Sequence, residues 1–317
     1  MSHISGLKIK QSMKRGIFLV ANQKSEWLSE NLIYSIRKSG CLLPIKIIHF
    51  GGEVIKSQYV LKEAEIIFFE DFPEEAKRFI IDLSRVINEC PLPFLYRFYG
   101  LFAEWNEFIY SDNDIVALTN WEELFDRLGE ADLLHADEEY LTKGVFNYNQ
   151  PERIEEIFGS GALESAITAG HIVMRKDPRM LRDFYSALEW FVENPGIAKR
   201  HDQTLLHITA LLGNWKLKNL CKGSDRWLSS WAGDYKHSLD LIQKAQQGMR
   251  ISHIHYSGSS LPGDKPLEEL LYSFIDERRR LSMLGRIWLR KRTGLTQAGR
   301  YVRRIRSKMG RLMKKLQ

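Results

Sequence analysis

Two aspartates stand one position apart directly after an apolar run, in the segment FIYSDNDIVAL at residues 108–118. Asp112 and Asp114 could form no more than a polar turn, because such turns often end strands. Carboxylates at positions i and i+2 of an extended turn can also share one Mg²⁺ or Mn²⁺, or divide a metal ion and a ribose hydroxyl between them. Such an ion keeps several further oxygen ligands, which the phosphates of a substrate can supply. The pair alone fits both the turn and the metal site.

The secondary structure predicted around this pair indicates whether the turn or the metal site is favoured. Short apolar runs recur along the chain, each about the length of a buried strand, and helical patterns separate the early ones. This alternation predicts an α/β sandwich with a mostly parallel sheet. Ligands bind at the carboxyl ends of such strands, which favours a site at Asp112 and Asp114. The predicted strands are 16–21, 45–50, 65–69, 108–110, 132–135, 167–174 and 251–256, and the predicted helices are 29–39, 75–87, 121–128, 177–193, 202–212 and one that begins at 267.

Composition places the chain among ordinary globular proteins. Of its 317 residues 44% are hydrophobic and 27% are charged, which is typical of a chain with a sizeable core. The cysteines at 41, 90 and 221 have no metal-binding or redox spacing, so we expect reduced structural thiols. No apolar run has the length of a signal-peptide core or a membrane span, and we therefore expect a cytosolic protein.

Charge divides the chain into two parts. Residues 278–317 hold 15 of the 46 Lys and Arg residues and no acidic residue, which leaves 31 basic residues against 40 acidic ones in the rest. Apolar residues in this basic tail recur at three- and four-residue steps, among them Trp288, Val302 and Ile305. A basic amphipathic helix of this kind suits an anionic lipid surface. The alternatives are a coiled-coil seam for self-association and a solvated charge run, whereas nucleic-acid binding is disfavoured because no reader module is recognised.

The residues after the aspartates distinguish two enzyme families that place Asp-x-Asp behind a strand. Haloacid-dehalogenase-like phosphatases continue into Gly and Thr, whereas this chain continues as Ile115-Val116-Ala117. The segment IYSDNDIV instead has the form found in nucleotide-sugar glycosyltransferases of the GT-A type. The chain resembles these enzymes over residues 15–266, and most closely the retaining family 8 of glycogenin-like and lipooligosaccharide galactosyltransferase-like enzymes. The resemblance implies a GT-A, Rossmann-like α/β fold with a mixed, mostly parallel sheet.

Two landmarks of this resemblance lie before the aspartates. In the family, the loop after the first strand binds the nucleoside base and ribose, and Ala21 and Asn22 occupy those places in GIFLVANQKS. The family's acidic residue of this loop is missing here. In PLPFLYRFYG, Arg97 matches a basic residue that lies near the diphosphate or sugar, where a guanidinium suits phosphate or hydroxyl oxygens. The alternative is that Arg97 caps a helix or pairs with Glu104.

Two further landmarks concern the sugar. SAITAGHIVMRKD matches the family's Asn-x-Gly segment of the sugar pocket, with Gly170 kept and the Asn absent. KRHDQTLLH resembles the segment in which Asp202 would contact donor hydroxyls and Gln203 would lie on the reactive face of the sugar. Asp202 could equally cap the helix that follows it.

The last landmark implies the metal and diphosphate ligands. ISHIHYSGSSLPGDKP matches the family's His-x-x-Gly and Lys-Pro, with a longer gap. By this resemblance His255 is the third ligand of Mn²⁺ or Mg²⁺ beside Asp112 and Asp114, and Gly258 and Lys265 lie at the diphosphate. Alternation places His253 on the same strand face, so the preference for His255 comes from the resemblance alone.

The resemblance implies hexose transfer, with retention, from a nucleotide sugar carrying UDP to a glycan or lipid-linked acceptor. With retention the leaving phosphate would serve as base, whereas inversion would need a general base such as Asp137, Glu138 or Asp202. A lipopolysaccharide-type acceptor would explain the basic tail, and a peripheral place at the inner face of the membrane follows.

Two other functional classes compete with this interpretation. One is a membrane-associated scaffold that kept the fold and lost the chemistry. The other is a nucleotidyltransferase, which the lack of a Gly-rich N-terminal phosphate loop disfavours. The predicted division is a catalytic domain over 1–275 and a basic amphipathic tail over 276–317.

Overall fold

The computed structural model describes residues 14–136, 147–223, 227–256 and 267–279. Its strands are β1 Arg15–Ala21, β2 Ile45–His49, β3 Glu65–Phe68, β4 Glu107–Ser111, β5 Ile115–Ala117, β6 Leu133–His135, β7 His171–Arg175, β8 Leu217–Asn219 and β9 His253–His255. Its α-helices are α1 Glu26–Lys38, α2 Gln58–Glu63, α3 Glu74–Val86, α4 Leu92–Leu95, α5 Glu122–Leu128, α6 Pro151–Phe158, α7 Arg179–Glu193, α8 Asp202–Leu212, α9 Ser238–Gln246 and α10 Glu268–Arg279.

Seven of these strands form one sheet in the order β3-β2-β1-β4-β7-β6-β8. Strands β3, β2, β1 and β4 are mutually parallel, β7 is antiparallel to both its neighbours, and β6 and β8 are parallel to each other. The sheet is therefore mixed and mostly parallel, as predicted. The parallel run places the carboxyl ends of β1, β2 and β4 side by side at one edge.

Both faces of the sheet are covered, because alternate residues of each strand point to opposite sides. On β1, Ile17 and Leu19 pack in one core with α1, while Phe18 packs in the other with α3 and α7. These three residues are fully buried. Each fully buried side chain of this size contributes about 1.5–3 kcal/mol relative to exposure, so the two cores hold the strand ends in place.

A second, two-stranded sheet pairs β5 with β9 in antiparallel register. Ile115 pairs with His255 and Val116 with Ile254, although the paired strands are far apart in sequence. Val116 and Ile254 are buried in a third core that includes residues of α10. This pairing brings the segment after the two aspartates against the segment that ends in His255.

Most predicted elements are present in the structure, with shifts at their ends. All seven predicted strands correspond to β1–β4, β6, β7 and β9, although β7 begins at His171 rather than at 167. The six predicted helices correspond to α1, α3, α5, α7, α8 and α10. The structure adds β5, β8, α2, α4, α6 and α9. These are short elements, which carry few periods of a pattern.

The predicted division at residue 275 falls inside α10, which runs from Glu268 to Arg279. The residues beyond 279, with Trp288 and most of the basic tail, lie outside the described part of the chain, so the division stays a prediction. Within the described residues, no helix combines the length and apolarity needed to cross a bilayer.

Candidate active site

A cavity of about 740 Å³ opens where β1, β2 and β4 end. Small-molecule sites occupy roughly 300–1,000 Å³. Residues that follow the three strands line it, including Asn22 after β1, Phe50 after β2, and Asp112 with Asp114 after β4. The sequence prediction of a site at the strand ends therefore coincides with the cavity.

Three side chains from two distant segments meet in this cavity. The His255 Nε2 atom lies 3.4 Å from Asp114 Oδ1 and 3.8 Å from Asp112 Oδ2. One candidate ligand atom from each of the three residues lies within 4.8 Å of the others. Two carboxylates and an imidazole at this spacing suit a divalent cation that accepts oxygen and nitrogen ligands.

Backbone contacts fix these three residues. The Asp112 amide donates to Gly170 O at 2.7 Å, and the Tyr256 amide donates to Asp114 O at 3.0 Å. The His255 amide donates to Ser230 O at 2.8 Å. The main chain therefore holds each candidate ligand in place before any cation is bound.

Gly170 leaves the space that the cluster needs. A Cβ atom at this position would lie 2.3 Å from His255 Cε1 and 3.1 Å from Asp112 Oδ2. A side chain would therefore displace candidate metal ligands, which gives a physical reason for glycine in the TAGH segment. The residues present thus fit a divalent cation. Two carboxylates and an imidazole that can be neutral would bind it, and Gly170 leaves the approach to them open.

The electrostatics of Asp112 also favour a cation. Burial raises the pKa of Asp112 above its ordinary value, and Asp114 adds to this, while Arg97 and His255 act in the opposite direction. A positively charged neighbour therefore stabilises the charged form of Asp112. The Tyr110 hydroxyl donates to Asp112 Oδ1 at 2.6 Å and orients this carboxylate.

Arg97 is buried beside the cluster with its guanidinium engaged by protein groups. Its Nη2 atom lies 3.0 Å from Asp202 Oδ2 and 3.6 Å from Asp112 Oδ1. Nε donates to Phe94 O at 2.8 Å, and Nη1 donates to Ala169 O. Burial by itself lowers the pKa of Arg97, but the neighbouring groups, Asp202 above all, raise it above its ordinary value. Arg97 therefore links the metal cluster to the start of α8.

The structure bears on the non-functional interpretations of Arg97 and Asp202. The suggested pairing of Arg97 with Glu104 is wrong, because Glu104 contacts Lys46 at 2.8 Å. The contact of Nε with Phe94 O at the end of α4 resembles the suggested helix cap. The suggestion that Asp202 caps α8 is wrong, because His201 is the N-cap and Asp202 is the first helical residue.

Asp202 and Gln203 line the cavity from the first turn of α8. Burial alone raises the pKa of Asp202, but Arg97 and His201 outweigh it and hold the pKa below its ordinary value. Asp202 is therefore an ionised carboxylate with only 2% of its side chain exposed. The structure brings it to the same cavity as the metal cluster, as the resemblance implies.

One of the two residues singled out in the first loop lines the cavity. Asn22 lines the cavity, and its side chain accepts a hydrogen bond from the Ser25 amide at 3.1 Å. Ala21 is fully buried in the core beside α1 and is not among the residues that line the cavity. The role of Ala21 in nucleoside binding stays a prediction; its side chain points into the core because the alternation along β1 turns odd-numbered residues to that side.

Of the two histidines of β9, the structure brings His255 to the aspartates. His253 is buried, with its ring centroid 4.0 Å from that of His171 and its Nδ1 2.7 Å from Ser252 Oγ. Burial lowers the pKa of His253 well below its ordinary value. Gly258, Lys265, Asp137 and Glu138 lie outside the described residues, and their suggested roles stay predictions.

Sequence reasoning missed several residues of the cavity wall. Among them are Lys24, Trp27, Phe94 and His201. Their signal was proximity in sequence: each lies within six residues of a residue already singled out. Side-chain direction, which decides whether a neighbour reaches the cavity, is a property of the folded backbone.

Comparisons with known proteins agree with this geometry. A family model described as "Mannosyltransferase putative" matches residues 14–156, which hold β1–β6, Arg97 and both aspartates. A comparison with curated protein sequences gives no match.

Two solved structures share the fold. The galactosyltransferase LgtC, in complex with donor and acceptor sugar analogues, matches with a TM-score of 0.51 and 14% identity over 87% of this chain and 99% of that chain. The bifunctional glycosyltransferase WbbM in its apo form matches with a TM-score of 0.51 and 13% identity over 84% of this chain. The match spans about half of WbbM, 53% of its length.

The chain has the GT-A fold of these glycosyltransferases, and over residues 14–156 it is similar to a mannosyltransferase family. The two structural relatives are below 15% identical to it, and they show the architecture. The reaction that this particular chain performs is a matter of its own site residues.

Proposed function

We propose that this protein transfers a hexose, in a metal-dependent reaction, from a nucleotide sugar to a glycan or lipid-linked acceptor. The observation that carries the proposal is the meeting of Asp112, Asp114 and His255 in a cavity that Asp202 and Gln203 also line. Phosphates need a cation, and sugar hydroxyls need fixed hydrogen-bonding groups. The cavity presents both kinds of group.

The residues divide the chemistry between them. A bound Mn²⁺ or Mg²⁺ would offset the charge that develops on the departing diphosphate. Asp112, Asp114 and His255 would hold that ion, and Asp202 and Gln203 would bind and orient the donor sugar. Arg97 contacts both Asp112 and Asp202, and it would hold the metal ligands and the sugar-binding residues at a fixed distance from each other. By the resemblance, Gly258 and Lys265 would complete the diphosphate site.

The finer parts of the proposal rest on the resemblance and on the family description. Retention and a uridine nucleotide are what family 8 implies, and the matching family description adds mannose to the candidate hexoses. A lipopolysaccharide or surface-polysaccharide acceptor at the inner face of the membrane is consistent with the basic tail at 278–317.

The test is a screen of UDP- and GDP-hexoses for hydrolysis with and without Mn²⁺, which needs no acceptor. We expect turnover that disappears with EDTA and falls at least about 100-fold in Asp112→Asn and Asp114→Asn. Asp126→Asn is the matched control, because Asp126 has 79% of its side chain exposed. Full metal-dependent turnover in either cluster variant would contradict the proposal.

The scaffold alternative makes a different prediction for binding. A protein that kept the fold and lost the chemistry would bind UDP or GDP no better with Mn²⁺ than without it. Calorimetric titration of each nucleotide, with and without Mn²⁺, separates the two functions. We expect metal-dependent binding that Asp114→Asn removes.

Membrane association through the tail is tested with the full chain. Co-sedimentation with vesicles of phosphatidylcholine alone and with added phosphatidylglycerol should show binding only to the anionic vesicles, and binding should fall as salt rises. A variant with Arg311, Lys314 and Lys315 replaced by Gln should bind more weakly. Concentration-dependent self-association without vesicle binding would favour the coiled-coil alternative instead.

A further inference from the structure

Phe94 lines the cavity and, among the described aromatic residues of its wall, is the most exposed to solvent. The exposed fraction of Phe94 is 42%, whereas Tyr110, which also lines the cavity, is buried. Contact between apolar surface and water is unfavourable, so a ligand that covered the ring would be stabilised by that burial. Phe94 therefore offers the cavity an apolar contact surface.

The backbone around Phe94 holds the ring in place. Pro91 and Pro93 also line the cavity, and each proline fixes its own φ angle. The Phe94 amide donates to Pro91 O at 2.9 Å, and Phe94 O accepts a hydrogen bond from Arg97 Nε at 2.8 Å. A residue on so constrained a segment loses little conformational freedom when a ligand binds.

Two side chains that contact Asp202 also contact the Phe94 ring. Arg97 Cζ lies 5.9 Å from the ring centroid, and the His201 ring packs edge-to-face at 6.0 Å between centroids. Arg97 Nη2 lies 3.0 Å from Asp202 Oδ2, and His201 Nδ1 lies 2.5 Å from Asp202 Oδ1. A single side chain therefore separates Phe94 from the carboxylate that would bind the donor sugar.

Exposure orders Phe94 and Asp202 along the cavity. Asp202 is almost fully buried, whereas the Phe94 ring is open to solvent. The donor-binding carboxylate is thus the deeper of the two, and the ring is nearer the opening. An acceptor must approach the bound donor sugar from the opening, so the ring lies on its path.

The chemistry of this part of the wall suits a sugar ring better than an alkyl chain. A pyranose carries C–H groups on a face, which can pack on the negative face of an aromatic ring, and hydroxyls around its edge. The groups next to Phe94 are the polar side chains of Arg97 and His201. An alkyl chain would remove water from polar groups without pairing them, which costs free energy.

We propose that Phe94 forms an acceptor subsite, in which its ring stacks on the C–H face of a pyranose at the end of the acceptor. The assignment deepens the proposed function and rests on it. Phe94 binds the acceptor sugar by contact and takes no part in bond making or proton transfer. The subsite therefore agrees with a leaving phosphate that serves as base, as retention implies.

The first measurement is the binding of simple sugars to the full chain, and it needs no turnover. The probes are methyl β-galactoside, methyl β-glucoside and methyl α-mannoside, with Mg²⁺ present because paramagnetic Mn²⁺ broadens NMR signals. We expect saturation of the protein's aromatic protons to pass to the C–H protons on one face of a bound sugar. Phe94→Ala and Phe94→Leu should both lose this transfer, because leucine is apolar but has no ring face, and Phe94→Tyr should keep it. Thermal melts show whether each variant is folded.

The second measurement is transfer from the nucleotide sugar that the screen identifies to the probe that binds. In Phe94→Leu the KM for the acceptor should rise about 10-fold, the loss expected for one aromatic contact. The KM for the nucleotide sugar should stay near that of the wild type, because the donor is bound by other residues. Tyr185→Leu is the matched control, since Tyr185 is 40% exposed and is not among the residues that line the cavity.

The outcomes separate the subsite from the proposed function. Saturation transfer to none of the probes, or transfer that persists in Phe94→Ala, would overturn the subsite and leave the proposed function intact. Binding that Phe94→Ala removes and Phe94→Leu keeps would also overturn it, because the contact would then need apolar area without a ring. No turnover of any nucleotide sugar by the wild type would overturn the proposed function and the acceptor role with it, whatever the NMR measurement shows.

Discussion

Gly170→Ala should weaken metal binding although position 170 is not itself a candidate ligand. The added Cβ would lie 2.3 Å from His255 Cε1 and 2.9 Å from His255 Nδ1, where ordinary contacts begin at 3.4 Å. The His255 ring must therefore move by about 1 Å. The backbone at Gly170 cannot easily yield instead, because its carbonyl accepts the Asp112 amide.

The expected size of the effect follows from this displacement. Disturbing the groups that orient metal ligands lowers metal affinity about 10–100-fold, and overpacking costs about 1–3 kcal/mol of unfolding free energy. Titration calorimetry with Mn²⁺ and thermal melts measure both quantities. Gly52→Ala is the matched control, since a Cβ there meets nothing within 4 Å.

A double variant identifies the residue that clashes. His255→Ala removes the ring that the new Cβ would meet, so Gly170→Ala should cost little further stability in the His255→Ala background. Wild-type Mn²⁺ affinity in Gly170→Ala, or fully additive stability losses in the double variant, would refute the reasoning.

Three other predictions concern buried ionisable groups. Arg97→Met should destabilise the fold by about 3–5 kcal/mol, because it leaves Asp202 buried without its cation, whereas Arg97→Met combined with Asp202→Leu should recover much of that loss in chemical denaturation. Asp202→Asn should flatten the acid side of the stability–pH curve. The folded-state pKa of Asp202 is lowered, so its contribution is full above its unfolded pKa of about 3.9 and is lost as the pH falls through the folded value; an unchanged curve below pH 4 would count against this. Burial lowers the pKa of His135 to about 3 and that of His207 to about 4, so both rings stay neutral in the fold. The folded protein therefore loses stability as the pH falls below about 6.5, because only the unfolded state takes up these protons. His135→Phe should make the fall of the melting temperature between pH 6.5 and 4 shallower, and a slope equal to that of the wild type would contradict it.

The parallel strands were predictable because their signal is local. Ile17, Phe18 and Leu19 are apolar without a break, as expected of a strand buried on both faces. The helix 202–212 was predicted with the bounds that the structure has. The short elements β5 and α4 were not predicted, because neither stretch shows a period of its own and both form through their neighbours.

The site was predictable to a smaller extent. The place of Asp112 and Asp114 at a strand end follows from the pattern alone, whereas the choice of His255 over His253 came from a family resemblance. The side chain of Ala21 points into the core, and its part in nucleoside binding stays a prediction.

The amino-acid order alone determined that two carboxylates follow a buried strand of an α/β sheet, because strand burial and chain reversal depend on neighbouring residues. Only the tertiary structure decided what those carboxylates meet. The β5–β9 pairing brings His255 to them, and the burial of Arg97 joins Asp112 to Asp202. Close packing also makes glycine necessary at position 170. These contacts join residues distant in sequence, and their energies depend on distances that exist only after the sheets and helices have packed.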